Sequence, residues 1–375
     1  MDYDEPSSTS QRLAVIRSLI VLGLIVIAGI IVIPNVIEQA TPVEVVDVEC
    51  VIGSEKSGFL SNEEVQRILA EDYGLNVSFR RMGSIEQAYV EPAGVDCLWP
   101  SNTSAVEIFE ELNAELFDNG SAKSEIIFNS PIVLYAWQPI ADAMQTEGLV
   151  TTTDNRLETN TDTLVNLLVA DDKPTWEEFG VDDLFGRVNV VTTDPTRSNS
   201  GNMFYALMAN ILVGDVATVD NIEAQLPVIR TFYDGQGRLE ESSGILFEQF
   251  ISLGMGAYPA IANYESLLIE LAIENPEQAQ AITEQIQVIY PVPTVWSSHP
   301  IVALTDNGGQ LLEALQDERL QNIAWEQHGF RSGLTGITND VSVFNIPGLA
   351  DNVTSVIPLP RSEALLRMLE SLEDS

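Results

Sequence analysis

Three loops in this chain concentrate hydroxyl and amide side chains where they can act together. The richest lies within residues 188–212, VNVVTTDPTRSNSGNMFYALMANIL. There Thr192, Thr193, Thr196, Ser198, Asn199, Ser200 and Gly201 separate two apolar runs. The first run reads as a short buried strand over 188–191, the second as a helix over 202–212. A strand passing through such a loop into a helix aims free backbone N–H groups at one point, and the helix dipole adds partial positive charge there. That arrangement suits an anion or a carboxylate. The alternative is an ordinary cap, in which Ser198 or Ser200 satisfies its own helix. The other two loops are Gly53-Ser54-Glu55-Lys56-Ser57-Gly58 and Pro100-Ser101-Asn102-Thr103-Ser104.

Neutral donors of this kind hold a desolvated oxyanion through several charge-assisted hydrogen bonds and need no countercharge. Arg197 offers a cation, although an Arg beside a helix start is as often solvated. The Arg80-Arg81-Met82 stretch reads as a solvated strand end, and Trp99 and Trp137 as core packing. Metal capture has less support. The two histidines, His299 and His328, are far apart, and no Cys pair has ligand spacing. Glu55, Asp194, Tyr264 and Glu265 leave a hard-oxygen cation site open. No nucleophile elbow, Walker loop or HExxH is present, so no enzymatic activity and no cofactor are expected.

The elements that must position these loops repeat a strand–loop–helix unit. Residues 43–52, 75–79 and 95–99 read as strands. Ser61 with Glu64, and Ser104 with Glu107, read as capping boxes for the helices that follow the first and third. In open α/β sheets, ligands sit at such carboxyl-end loops. Further strands are expected at 131–137, 254–262, 286–290 and 300–304, with a short helix at 175–179. Tyr264 sits where the 254–262 strand passes into a helix over 266–274. Two more helices are expected around 310–315 and 320–328. Residues 341–360 read as an extended arm. Leu365, Leu366, Leu369 and Leu372 then mark a closing helix that docks on the body or on a partner.

The chain has 375 residues, 45% of them hydrophobic, which is enough for two domains. Its 56 acidic and 17 basic residues give a formal charge of −39, which argues against nucleic acid and anionic membrane surfaces as partners. Residues 18–37 are almost wholly apolar, with Arg12 and Arg17 before them and Glu38, Glu44, Asp47 and Glu49 after. This predicts a single transmembrane anchor, a cytoplasmic tail over 1–17 and an extracytoplasmic body. A cleaved signal peptide is the rival reading. Cys50 and Cys97 lie near the ends of neighbouring strands, where a disulfide and a buried thiol pair are both open.

The pieces GSEKSGFL, CLWPSN, SPIVLYAWQPIADAM, TWEEF, TDPTRSNSGN, AYPAIANYESLL, YPVPTVWSSHPIVAL and EQHGFRSG, in that order, resemble a type 2 periplasmic solute-binding protein of the ABC-transporter kind. The resemblance implies an α/β fold of two lobes joined by two crossover strands, with a solute held between them. Lobe one is expected over 44–135 plus 292–340, lobe two over 136–291, and the arm and helix over 341–375. The implied ligand contacts are Ser54, Ser57, Ser101, Asn102, Thr196, Ser198, Ser200, Gly201 and Tyr264. The implied partners are a small, anionic solute and an ABC permease. Some relatives carry a von Willebrand-type domain after a similar arm, so a separate protein of that type is a further expected partner. A ligand-free or sensory scaffold on the same fold is the alternative.

Overall fold

The structure, a computed structural model, describes residues 45–373. The expected anchor at 18–37 lies outside the described residues. Among those described, no helix is long and apolar enough to cross a membrane.

The strands form one sheet in the order β2-β1-β3-β9-β4-β8-β6-β5, with β7 and β10 also on β4. Strands β1 (Val46–Ile52), β2 (Leu75–Arg81) and β3 (Cys97–Trp99) are parallel neighbours. β3 and the Cys50–Ile52 end of β1 are buried on both faces, whereas β2 at the sheet edge alternates buried and exposed residues. The register sets Cys50 opposite Cys97, and the two are joined by a disulfide.

β4 (Lys123–Trp137) is the strand that unites the molecule. Residues 123–131 pair antiparallel with β9 (Trp296–Ala303). Residues 132–137 pair instead with β7 (Ala260–Tyr264) and β8 (Ile286–Val292). One continuous strand therefore belongs to two sheet halves, and its PIVLYAW run is buried because it is covered in both. β5 (Val150–Thr153) and β6 (Arg156–Asn160) extend the second half beyond β8. β10 (Arg331–Ser332) returns to β4 at Phe128 and Asn129.

Helices cover both halves. α1 (Glu63–Tyr73), α2 (Thr103–Leu112), α3 (Gln138–Thr146) and α4 (Thr161–Val169) precede α5 (Asn199–Val213). α5 is buried along most of its length, which explains why it lacks a polar face. Then follow α6 (Leu226–Gly235), α7 (Ser243–Leu253), α8 (Ser266–Glu274), α9 (Asp306–Ala314) and α10 (Glu318–His328). The closing helix α11 (Ser362–Glu373) docks on the body. Its Leu365, Met368, Leu369 and Leu372 join the core built around α5, and Leu366 packs against the cluster containing Val106 and Phe109 of α2.

Several local expectations are corrected. Residues 188–191 form no full strand. Val191 makes one bridge to Ile261, while Val188 bonds through its amide to the Pro174 carbonyl and Val190 accepts from Gln236 Nε2, both buried outside any ladder. Residues 175–179 make turns closed by Thr175 and Glu178 and ended by Gly180 at φ +80°, with Trp176 buried. Asn62, not Ser61, caps α1, and Asn102, not Ser104, caps α2. In each case an Asn side chain reaches the amides one turn on, the work expected of the neighbouring Ser.

Candidate functional site

The three hydroxyl loops meet where the two halves face each other. A cavity of about 220 Å³ lies among Ser54 and Glu55 of the first loop, Arg81 and Ser84 beyond β2, Ser198 and Asn199 at the start of α5, and Tyr264 at the end of β7. Ser242 and Ser243, at the start of α7, close one side, with the ion pair Arg197–Glu241 at the rim.

Two helices thus begin at the cavity, and neither is capped by its own side chain. Ser198 is the N-cap residue of α5 and Ser242 that of α7, and neither makes a side-chain cap bond. The amides of Asn199 and Ser200 have no acceptor among the described residues, whereas the next amide, Gly201, donates to Thr193 Oγ1 at 2.8 Å. The cap alternative is therefore set aside by geometry. The serines instead bond one another: Ser200 Oγ lies 2.9 Å from Thr193 Oγ1 and 2.8 Å from Ser243 Oγ, which is 3.4 Å from Ser198 Oγ. These hydroxyls lock α5 to α7 and leave the Asn199 and Ser200 amides unpaired among the described residues. Gly201 serves that docking too. A Cβ there would stand 2.1 Å from the Thr193 carbonyl oxygen, so only glycine lets α5 start so close to the loop.

Asn199 ties the halves together. Its Nδ2 donates to the Ser101 carbonyl at 3.0 Å and to Tyr264 Oη at 2.9 Å, and its Oδ1 accepts from Asn102 Nδ2. Ser297 Oγ donates to the same Ser101 carbonyl at 2.7 Å. Tyr264 is buried, and burial first, then the Glu55 carboxylate, pushes its phenol pKa up, so it remains a neutral hydroxyl.

Beneath the first loop lies a charge cluster. Lys56 is fully buried, and its Nζ reaches Glu55 Oε1 at 2.6 Å, Ser101 Oγ at 2.8 Å and His299 Nδ1 at 3.2 Å. Burial pulls the ammonium pKa down, opposed by Glu55. Burial alone would raise the Glu55 carboxyl, but Lys56, with help from His299, holds it well below the usual carboxylate range. For His299, burial and then the Lys56 charge lower the pKa to about 4, so the ring is neutral at pH 7. Nδ1 is assigned as acceptor from Lys56, which puts the proton on the buried, unpartnered Nε2.

Of the residues expected at the site, Ser54, Ser198 and Tyr264 line the cavity. Ser101 and Asn102 lie behind it, holding Glu55, Lys56 and Asn199. Ser200 and Gly201 position α5. Thr196 is spent on Asp194, whose Oδ1 accepts from its amide and hydroxyl. Ser57 is buried away from the cavity, and its hydroxyl has no partner. Glu265 faces away from the cavity, bonded to Arg331 at 2.6 and 2.9 Å. With Asp194 also engaged by Thr196, the four oxygen residues weighed for a cation do not converge. Sequence reasoning missed Lys56 and Asn199 as organisers; Arg81 is the exposed end of β2, as expected, and also borders the cavity. The adjacent Glu55–Lys56 pair in a hydroxyl loop was the available signal.

This two-half α/β architecture, with a polar cavity between the halves, is that of the type 2 periplasmic binding proteins. Among solved structures, the apo ferric ion-binding protein A of Pasteurella haemolytica aligns at a TM-score of 0.55 and 11% identity, over 88% of this chain and 97% of that one. Iron-bound HitA from Pseudomonas aeruginosa aligns at 0.53 and 12%, over 87% and 99%. An ABC transporter structure from Clostridium perfringens aligns at 0.53 and 11%, over 87% and 98%. No protein-family model and no curated protein sequence matches the chain. At these identities the likeness establishes the fold.

Proposed function

We propose that this is an extracytoplasmic solute-binding protein of an ABC-type uptake system, which captures a small solute through an anionic group. The observation that carries the reading is the convergence of two uncapped helix starts, α5 and α7, on one polar cavity between the sheet halves. First-turn amides and the helix dipoles favour negative charge there. In this reading residues 44–135 plus 292–340, and 136–291, are lobes that close around the solute by hinge motion. Residues 18–37 anchor the chain in the membrane with its N-terminus in the cytoplasm. The Cys50–Cys97 disulfide supports an oxidising, extracytoplasmic setting.

The ligand-free scaffold has one observation in its favour: Asn102, Asn199 and Ser297 bridge the halves with the protein's own side chains. Calorimetric unfolding of the full-length chain in detergent, against a panel of carboxylates, oxyanions and amino acids, separates the two. A bound solute at a hundred times its Kd stabilises the native state by about 2.7 kcal/mol and raises Tm by a few degrees. An unchanged Tm with every member of the panel rejects capture in favour of the scaffold.

A further inference from the structure

Glu55 holds an acceptor that the anion-binding reading leaves unused. Every donor that reaches this carboxylate reaches the same oxygen. Lys56 Nζ and Ser101 Oγ both donate to Oε1, the oxygen that also stands 3.5 Å from the acceptor Nδ1 of His299. Oε2 receives no hydrogen bond among the described residues, and Glu55 lines the cavity. Gly53 makes this pose possible, since a Cβ there would stand 2.4 Å from Ser101 Oγ and 2.9 Å from Oε2 itself. Because Lys56 keeps the carboxylate ionised, Oε2 can only accept; it has no proton to offer an oxyanion.

Most of the charged groups lining the cavity are already paired. Arg197 and Glu241 pair with each other at 2.5 Å, and Glu55 is paired through Oε1 with Lys56 behind the wall, so Oε2 faces the cavity as an acceptor and Arg81 is the remaining charge. Arg81 has no ion-pair partner among the described residues. A purely anionic solute on the helix starts would meet an obligate acceptor across a small cavity. A solute with an N–H cation beside its anion would satisfy both walls. The two walls share one support: Glu55 Oε1 accepts from the Ser101 hydroxyl, and the Ser101 carbonyl accepts from the Asn199 side chain at the start of α5.

We propose that the cavity takes a small zwitterion of the amino-acid class, its ammonium on Glu55 Oε2 and its carboxylate on the helix start at Asn199–Ser200. This rests on the solute-binding reading above and names the substrate class of the same cavity. The test is isothermal titration of the full-length chain with matched pairs that differ only in the ammonium: glycine against glycolate, alanine against lactate, serine against glycerate, with sulfate and ferric citrate alongside. The expected result is at least tenfold tighter binding of an amino acid than of its hydroxy-acid partner. Glu55→Gln should then erase most of that preference, read as the ratio of amino-acid to hydroxy-acid affinity within the variant. Equal or tighter binding of the hydroxy acid, of sulfate or of ferric citrate overturns the zwitterion assignment but leaves solute binding standing. Binding by none of the probes overturns both. The wild-type comparison decides the matter even where the Glu55 variant does not fold.

Discussion

Replacing Arg331 by Met tests how the end of β7, and with it Tyr264, is held. The Arg331 guanidinium is almost wholly buried and grips the fully buried Glu265 through Nε to Oε2 at 2.6 Å and Nη2 to Oε1 at 2.9 Å. Its remaining donors reach the Ala350 carbonyl at 2.6 Å and the Asp351 carbonyl at 3.2 Å, clipping the C-terminal arm to the core. Tyr290 Oη donates to the same carboxylate and accepts the Ala350 amide at 2.9 Å. Arg331→Met keeps the bulk of the stem but leaves a buried carboxylate with one hydroxyl donor. Breaking a buried pair from one side costs about 3–5 kcal/mol, because the abandoned charge has lost its solvent and its partner. Glu265→Gln with Arg331→Met removes the charge as well, so the double variant should recover a large part of that loss. Urea unfolding followed by circular dichroism reads both through the transition midpoint at constant slope. The reasoning is refuted if Arg331→Met costs under about 1 kcal/mol, or if the two substitutions simply add, since a real pair must show coupling.

Four further outcomes follow from the same structure. Gly201→Ala should destabilise by about 1–3 kcal/mol in the same unfolding assay, since its Cβ meets the Thr193 carbonyl oxygen at 2.1 Å. Leu365→Ala, which empties a fully buried position of α11, should cost about 2–5 kcal/mol; a cost below 1 would mean that the closing helix is not part of the core. Reducing Cys50–Cys97, which span 47 residues of chain, should lower stability by about 4 kcal/mol on the loop-entropy scale, read as a Tm loss on adding a thiol reductant. The His299 pKa is depressed from 6.5 to about 4, so the unfolded chain binds more protons over that interval. Its contribution is present above pH 6.5 and is lost as pH falls towards 4, about 3 kcal/mol in all. His299→Gln should flatten the stability–pH curve there, and an unchanged slope would show that another group carries it.

The parts of this molecule legible in its sequence are those written in local pattern. The parallel strands 46–52, 75–81 and 97–99 are apolar runs closed by polar loops, and the loops do gather at one place. What misled was identity at short range. An Asn beside a Ser took both caps, because the capping distance is set by backbone geometry that the run of polar letters does not show. Ser198 and Ser200 looked like ligand hydroxyls, yet they bond to Ser243, some 43–45 residues on, and present their backbone instead. Lys56 was invisible for a different reason. A lysine in a Gly- and Ser-rich loop is ordinarily solvated, and only the return of β9, bringing His299 beneath the loop, buries it.

That buried lysine bears on why the site is polar at all. The chain has only three lysines, and one is spent wholly out of water on a neighbouring glutamate. As a stabilising device this is poor, because a buried ion pair is often no better than well-packed apolar residues of the same volume. Its effect on Glu55 is specific, however. Lys56 and Ser101 both donate to Oε1, so they fix the carboxylate's charge and orientation and leave Oε2 without a protein partner among the described residues. Across the cavity, Ser198 and Ser200 bond to Ser243 at the start of α7, and the Asn199 and Ser200 amides stay unpaired among the described residues. Both walls follow one rule: the protein satisfies the groups behind the surface and leaves one acceptor and one set of donors unsatisfied in front. Ser54 and Arg81 on the same cavity are exposed, so water meets these groups in the empty protein, and the dipolar solute proposed above would take its place with both walls paired at once.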